Sequence, residues 1–169
     1  FDQFTEELFR DTVSSDTISL HYTLTDPEAY GITETPITFG TFSADSFQDA
    51  CEELQTVRAE LSAFSYEDLT ESQQLTYDIL MEYLTTELQG TDFELYQEAL
   101  GPTTGIQAQL PVLLAEYTFY SAEDVEVYLQ LLECLPDYFS SLLEFEQRKS
   151  EAGLFFSDTT ADAVIASCE

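Results

Sequence analysis

Along most of the chain apolar residues recur at intervals of three and four, the spacing that lines one face of an α-helix. Phe1, Phe4, Leu8, Phe9 and Val13 mark a first amphipathic segment with acidic residues on its other face, ending near Ser14 and Ser15. Asp16 is placed to cap a short second helix carrying Ile18, Leu20, Tyr22 and Leu24. Asp26-Pro27-Glu28 repeats a start signal, because proline at the first helical position lacks only an N–H that would be orphaned anyway, and Gly31 stops that turn. Residues 32–43 are rich in Thr, contain Pro36 and Gly40, and alternate weakly through Ile37, Phe39 and Phe42. That pattern predicts an extended connector, with room for one short strand.

The periodicity is strongest from Asp45 onward, where Phe47, Cys51, Leu54, Val57, Leu61 and Phe64 share a stripe. Thr70 and Gln73 form a capping box that opens a helix running to about Gln89, with Leu75, Ile79, Leu80, Tyr83, Leu84 and Leu88 as its apolar positions and Gly90 as its C-cap. Residues 91–104 are irregular in pattern; Ile106 to Tyr117 then predicts a short apolar helix with Pro111 near its start or at a break. Ser121 and Asp124 restart a helix whose apolar arc, from Val125 to Leu135, is wide enough to predict the most buried segment. Pro136 bends or splits it, since proline removes a backbone donor and crowds the preceding turn. A further helix runs through Phe139, Leu142 and Phe145 to Arg148 and Lys149, cations suited to the negative end of a helix dipole, and Gly153 ends it. Ser157 or Asp158 caps a last helix with Ala161, Val164 and Ile165 facing inward, which reaches Glu169 with no stop signal. The pattern as a whole predicts one all-α domain over residues 1–169, an irregular array of six to eight helices, cut in mid-element as if part of something longer.

Charge narrows the partners. The 169 residues hold 34 Asp and Glu against four Lys and Arg, for a formal charge of −30. A nucleic-acid surface needs clustered cations to neutralise phosphates, and an anionic membrane leaflet would repel this chain as strongly. No apolar run approaches the roughly 20 residues of a spanning helix. Hydrophobic residues still make up 44%, including 13 Phe and 10 Tyr, far above what charge-driven disorder allows.

Chemistry is sparse. His21 is the one histidine, so no HExxH zinc motif occurs, and a nucleophilic triad would have to recruit it from a short helix between Leu20 and Tyr22. A half-buried, hydrogen-bonded structural role fits it better. Cys51, Cys134 and Cys168 form no CxxC spacing; Cys51 and Cys134 lie on apolar stripes, where a buried thiol serves as a small hydrophobe. Paired carboxylates for glycoside hydrolysis carry no signal where 34 are available. Neither a calcium loop nor a phosphate-binding glycine loop can be written. The acid-free segment from Gly101 to Ala115 stands apart, since Gln107 and Gln109 flank one turn of an apolar helix beside glycines that admit a close backbone. These two amides are the candidate substrate-wall residues, placed to hydrogen-bond an extended peptide; the plainer alternative is a packed helix with exposed amides.

Several short motifs occur together and in order: Phe1-Asp2-Gln3-Phe4 with Glu7-Leu8-Phe9-Arg10, Tyr30-Gly31-Ile32, Leu75-Thr76-Tyr77-Asp78-Ile79-Leu80, Gly105 to Tyr117, and Lys149-Ser150-Glu151-Ala152-Gly153-Leu154-Phe155. Together they resemble the N-terminal part of bacterial domain-of-unknown-function family 885. The resemblance implies a much longer, mostly helical parent, similar to zinc metallopeptidases, with its HExxH-type helix in a C-terminal half and, in many Gram-positive members, export and a lipid anchor. These residues contain no position that matches the metal ligands or the general base, so no catalytic or metal residue carries over and no cofactor is expected in this chain itself. Zinc is expected in the C-terminal half, which is then also the principal partner. That half is expected to cover Leu154, Phe155, Val164 and Ile165, which otherwise leave an apolar patch open to self-association. The alternatives are a non-enzymatic acidic helical module that binds a basic protein or peptide, and a stand-alone carboxylate hydrolase.

Overall fold

A computed structural model describes residues 1–33 and 35–168. Glu34, in the connector, and Glu169, the predicted last residue of the final helix, lie outside the described residues. Eight α-helices follow in order: α1 (Asp2–Val13), α2 (Thr17–Thr23), α3 (Ala44–Ser62), α4 (Glu71–Gly90), α5 (Ile106–Ala115), α6 (Ala122–Glu133), α7 (Leu135–Glu151) and α8 (Asp158–Ser167). Short 3-10 turns occupy Pro27–Tyr30, Tyr66–Asp68 and Thr91–Tyr96. No strand forms among the described residues, so the connector after Gly31 is a loop throughout its described length.

Local signals set most of these boundaries. The Asp16 carboxylate accepts from Ser19 N–H at the start of α2. Ser43 caps α3 through Ser46 N–H, and reciprocal capping boxes open α4 (Thr70 with Gln73) and α6 (Ser121 with Asp124). At the end of α7, Gly153 adopts φ +76°, a left-handed conformation that costs a side-chain-bearing residue about 1–2 kcal/mol. There Leu154 N–H reaches back to Lys149 C=O and Gly153 N–H to Ser150 C=O, satisfying carbonyls the helix would leave open. Pro136 sits in the first turn of α7 and separates it from α6 at Cys134.

Gly90 departs from expectation. It is helical (φ −69°, ψ −23°), and the chain continues through Thr91 into a 3-10 turn instead of stopping. The reason is tertiary: that turn docks on α7, where Glu94 pairs with Arg148, and packing outweighs the weak preference of glycine for a helix end.

Two apolar centres hold the array. Val13, Leu24 and Ile32, with Leu20 against them, join α1, α2 and the turn that follows. The larger centre puts Leu142 and Phe145 of α7 against Ala99, with Phe42, Phe47, Leu95, Leu100 and Ile106 around them. Phe1 and Phe4 pack on Phe64, and Gln73 donates to the Asp2 carboxylate at 2.7 Å, fastening α1 to the α3–α4 hairpin.

The wide apolar arc of α6 is not the most buried segment. Leu131 is fully buried, but Val125 and Leu129 face solvent, because α6 packs chiefly on α7 and along one side. The deepest burial falls on α7, where Leu142, Phe145, Glu146 and Lys149 all lie inside. On α4 the arc divides similarly: Leu84 is buried while Leu75, Ile79 and Tyr83 point outward. Of the C-terminal quartet, Phe155 and Ile165 are exposed and Leu154 is half-buried, but Val164 is buried. Ile165 therefore faces outward, against the inward position that the spacing predicts for it.

The accessible surface is 10994 Å², whereas a compact monomer of this mass exposes roughly 8,400 Å². The molecule is open for its size. Where the core does close, truncation is costly: Leu131→Ala lowers unfolding free energy by about 2–5 kcal/mol in urea titration. Leu75→Ala, on the uncovered face of α4, changes it by no more than about 0.5 kcal/mol.

Candidate binding site

A trough crosses the surface where the connector passes over the start of α7. Its floor is the pair Phe39 and Tyr138, whose ring centroids lie 5.3 Å apart. On one side a hollow of about 410 Å³ opens between residues 37–41 and the α6–α7 junction, with Gln130, Glu133 and Asp137 on its wall. On the other side a smaller hollow of about 170 Å³ is bounded by Asp16, Ile18, Ile106, Gln109 and Leu113.

Thr17 fixes the connector in place. This buried threonine donates its backbone N–H to Thr38 C=O at 3.0 Å, accepts from Thr38 N–H at 2.9 Å through its hydroxyl, and donates that hydroxyl to Pro36 C=O. The Cys134 thiol donates to Ile37 C=O, and Phe42 N–H to the Ser141 hydroxyl at 3.1 Å. The connector is thus pinned to α2 on one flank and to α7 on the other.

The two predicted wall residues part company. Two helical positions turn through about 200°, so Gln107 and Gln109 face different ways. Gln107 is used internally, its amide donating to Gly101 C=O and to the Ser167 hydroxyl of α8, while its carbonyl oxygen is buried without a partner. Gly105 beside it has no room for a side chain, since an added Cβ would lie 2.2 Å from the Gln107 carbonyl oxygen and 2.2 Å from Gly101 N. Gln109 is exposed and reaches the smaller hollow of the trough. Burial, and secondarily the Asp16 carboxylate, push the Tyr138 phenol above its ordinary value, so it stays a neutral donor through physiological pH.

His21 has a structural setting. Its ring stacks on Tyr117 at 3.6 Å, and its Nε2 accepts from Thr118 N–H at 3.3 Å. Desolvation lowers its pKa, with Asp124 opposing, so near neutrality the imidazole is an uncharged acceptor. The cysteines are free; Cys51 and Cys134 are half-buried and Cys168 is exposed. Among the described residues no three His, Cys, Asp or Glu side chains gather as a metal cluster.

Sequence spacing missed a second polar centre, on α7. Lys149 is fully buried, donating to Gln97 C=O at 2.7 Å and pairing with Glu98 at 3.3 Å, with its ammonium over the Phe145 and Phe156 rings. It is a tether for residues 97–98 as well as a cation at a helix end. Glu146, only 5% exposed, has no hydrogen-bond partner for either carboxylate oxygen. The signal was present: Glu146 shares the stripe of Leu142, Phe145 and Lys149, at positions that helical spacing assigns to the core.

The model of the family of bacterial proteins of unknown function DUF885 matches residues 29–169. The chain belongs to that family. No curated protein and no solved structure gives a significant match. In this DUF885 chain the match takes in the connector and α3 to α8, and begins after α1 and α2, so Asp16 and Ile18 at the smaller hollow lie outside it.

The setting of Glu146 gives a pH dependence. Burial raises its pKa, Lys149 opposes that and Glu98 adds to it. Between the ordinary glutamate value and the raised one the folded state binds more protons than the unfolded state, so stability falls as pH rises through that window. Glu146→Gln removes the slope: the variant and the parent protein are expected to differ least at acidic pH, and the variant to be the more stable at pH 7, read by urea unfolding across the range.

Proposed function

We propose that this DUF885 chain forms a helical wall of the substrate cleft in a zinc-metallopeptidase-like protein, with the zinc held by residues outside these 169. The observation that carries the reading is the trough itself: an exposed Gln109 and a neutral Tyr138 line one hollow of it, along a connector with unpaired backbone groups among the described residues. Such a surface suits a peptide, which offers amide donors and acceptors at regular spacing. The open surface and the outward Phe155 and Ile165 supply apolar area for the catalytic half to cover. This chain's part is to bind and orient; the metal, once bound by its own ligands, would polarise the scissile carbonyl and activate water. Export and lipid anchoring of the parent belong to the same proposal and rest on the family resemblance.

The test uses the product of the complete reading frame that contains these residues. About one zinc per chain and chelator-sensitive peptide hydrolysis are expected. Gln109→Ala is expected to raise KM about 5- to 10-fold, the loss of one hydrogen bond to bound peptide, with kcat changed less. A parent without zinc, or one whose hydrolysis survives chelation, overturns the reading.

A specific feature favours a second reading, an acidic module without catalysis that binds a basic protein or peptide. Leu75, Ile79 and Tyr83 form an exposed stripe on α4, edged by Glu71, Asp78 and Glu82, and α4 carries no cation. That face matches an amphipathic helix with flanking lysines. Under this reading a cationic amphipathic peptide binds the isolated chain by calorimetry, binding weakens with salt, and Ile79→Asp abolishes it. Absence of binding at low salt removes the alternative.

A further inference from the structure

The larger hollow has features that the smaller one lacks. Thr38 turns both its N–H and its C=O towards Thr17, whereas the C=O of Ile37 meets Cys134 on the opposite side. Successive residues therefore present their polar groups to opposite edges, as they do in a strand. Phe39, two residues on, falls on the same edge as Ile37, and both residues line the hollow of about 410 Å³. Among the described residues, Phe39 N–H and C=O and Ile37 N–H have no hydrogen-bond partner. This is an open main-chain edge of the kind that accepts an added strand. Gly40, at φ +79°, turns the chain away and limits that edge to about one exchanged pair of bonds.

The opposite wall supplies charge. Glu133 and Asp137 stand four residues apart across the α6–α7 junction, near enough for their like charges to repel. Neither has a salt-bridge or hydrogen-bond partner among the described residues, and no lysine or arginine lines the hollow. A ligand cation placed there meets two carboxylates at once. Gln130 adds an uncommitted amide on the same wall.

We propose that this hollow binds an extended peptide as a short added strand on Phe39, with a lysine or arginine of that peptide between Glu133 and Asp137. The peptide's main chain exchanges hydrogen bonds with Phe39, the Phe39 and Tyr138 rings take an apolar neighbour, and the basic side chain gives the site its preference. This deepens the cleft-wall reading and takes the class of occupant from it, adding the orientation of the peptide and its selectivity for a cationic residue.

The test is binding to the 169-residue protein, with no zinc and no turnover, so that it fails separately from the reading above. Acetyl-Val-Lys-Val-amide is titrated into isotope-labelled protein and followed by amide resonances. Shifts centred on Phe39, Gly40 and Cys134 are expected, together with tighter binding than for the neutral analogue in which norleucine replaces lysine. In a series of peptides methylated at each main-chain amide in turn, one member is expected to bind about 5- to 10-fold more weakly, the cost of a lost hydrogen bond. The double variant Glu133→Gln, Asp137→Asn, whose two sites are exposed, is expected to keep its dispersed spectrum and lose the lysine preference. Shifts scattered over the acidic surface, equal binding by all methylated peptides, or a lysine preference that survives the double variant each overturn the proposal. Zinc-dependent hydrolysis that is absent from the parent overturns the cleft-wall reading and leaves this binding result standing.

Discussion

The packing of one face of α7 is the constraint from which the rest of this molecule takes its position. Phe145 and Leu142 gather Phe42 and Phe47 from the connector and α3, and Ala99, Leu100 and Ile106 from the approach to α5. Lys149, fully buried, holds the carbonyl of Gln97 and thereby the same approach. A buried ammonium is tolerated only where its donors are engaged, and here a carbonyl, a carboxylate and two aromatic faces engage it. In a chain of charge −30, four cations are few, and α7 uses two of them to hold residues 94–98.

That arrangement explains why the molecule is compact along α7 and open elsewhere. Apolar residues on α4, α6 and α8 outnumber the neighbours available to cover them, and the accessible area exceeds that of a compact monomer of equal mass. A charge of −30 opposes the approach of a second copy, while the exposed Phe155 and Ile165 favour it, so the two effects act against each other on self-association. A partner that covers these faces is best served by the opposite charge, or by belonging to the same protein and meeting them at high effective concentration.

Membership of the DUF885 family accords with the motifs legible in the residues. Gln107 and Gln109 were singled out together by the acid-free segment that holds them, yet helical geometry sends one towards α8 and leaves the other at the trough. Elsewhere in the trough, Phe39 comes from the connector and Glu133, Asp137 and Tyr138 from the α6–α7 junction about a hundred residues later. No spacing rule joins residues that far apart. Glu133 and Asp137 were also hidden by abundance, two carboxylates among 34. Only their position opposite an unpaired backbone edge distinguishes them.

The all-α class, most helix boundaries and a helix number between six and eight were determined by the sequence itself, because capping side chains, prolines and three-to-four spacing act within a few residues of where they stand. Asp16, Thr70 with Gln73, Ser121 with Asp124, and Pro136 each behave in the fold as their local chemistry requires. Which side of an apolar helix is covered was decided only by tertiary packing, since an arc wide enough for two neighbours looks the same whether it meets one or both. Thus α6 is half-exposed, Gly90 is carried through into a docked turn, and Ile165 faces out. The open edge at Phe39 is of the same kind: a backbone group is free or paired according to what folds against it, and Thr17, twenty-one residues upstream of Thr38, settles which side of the connector remains unpaired.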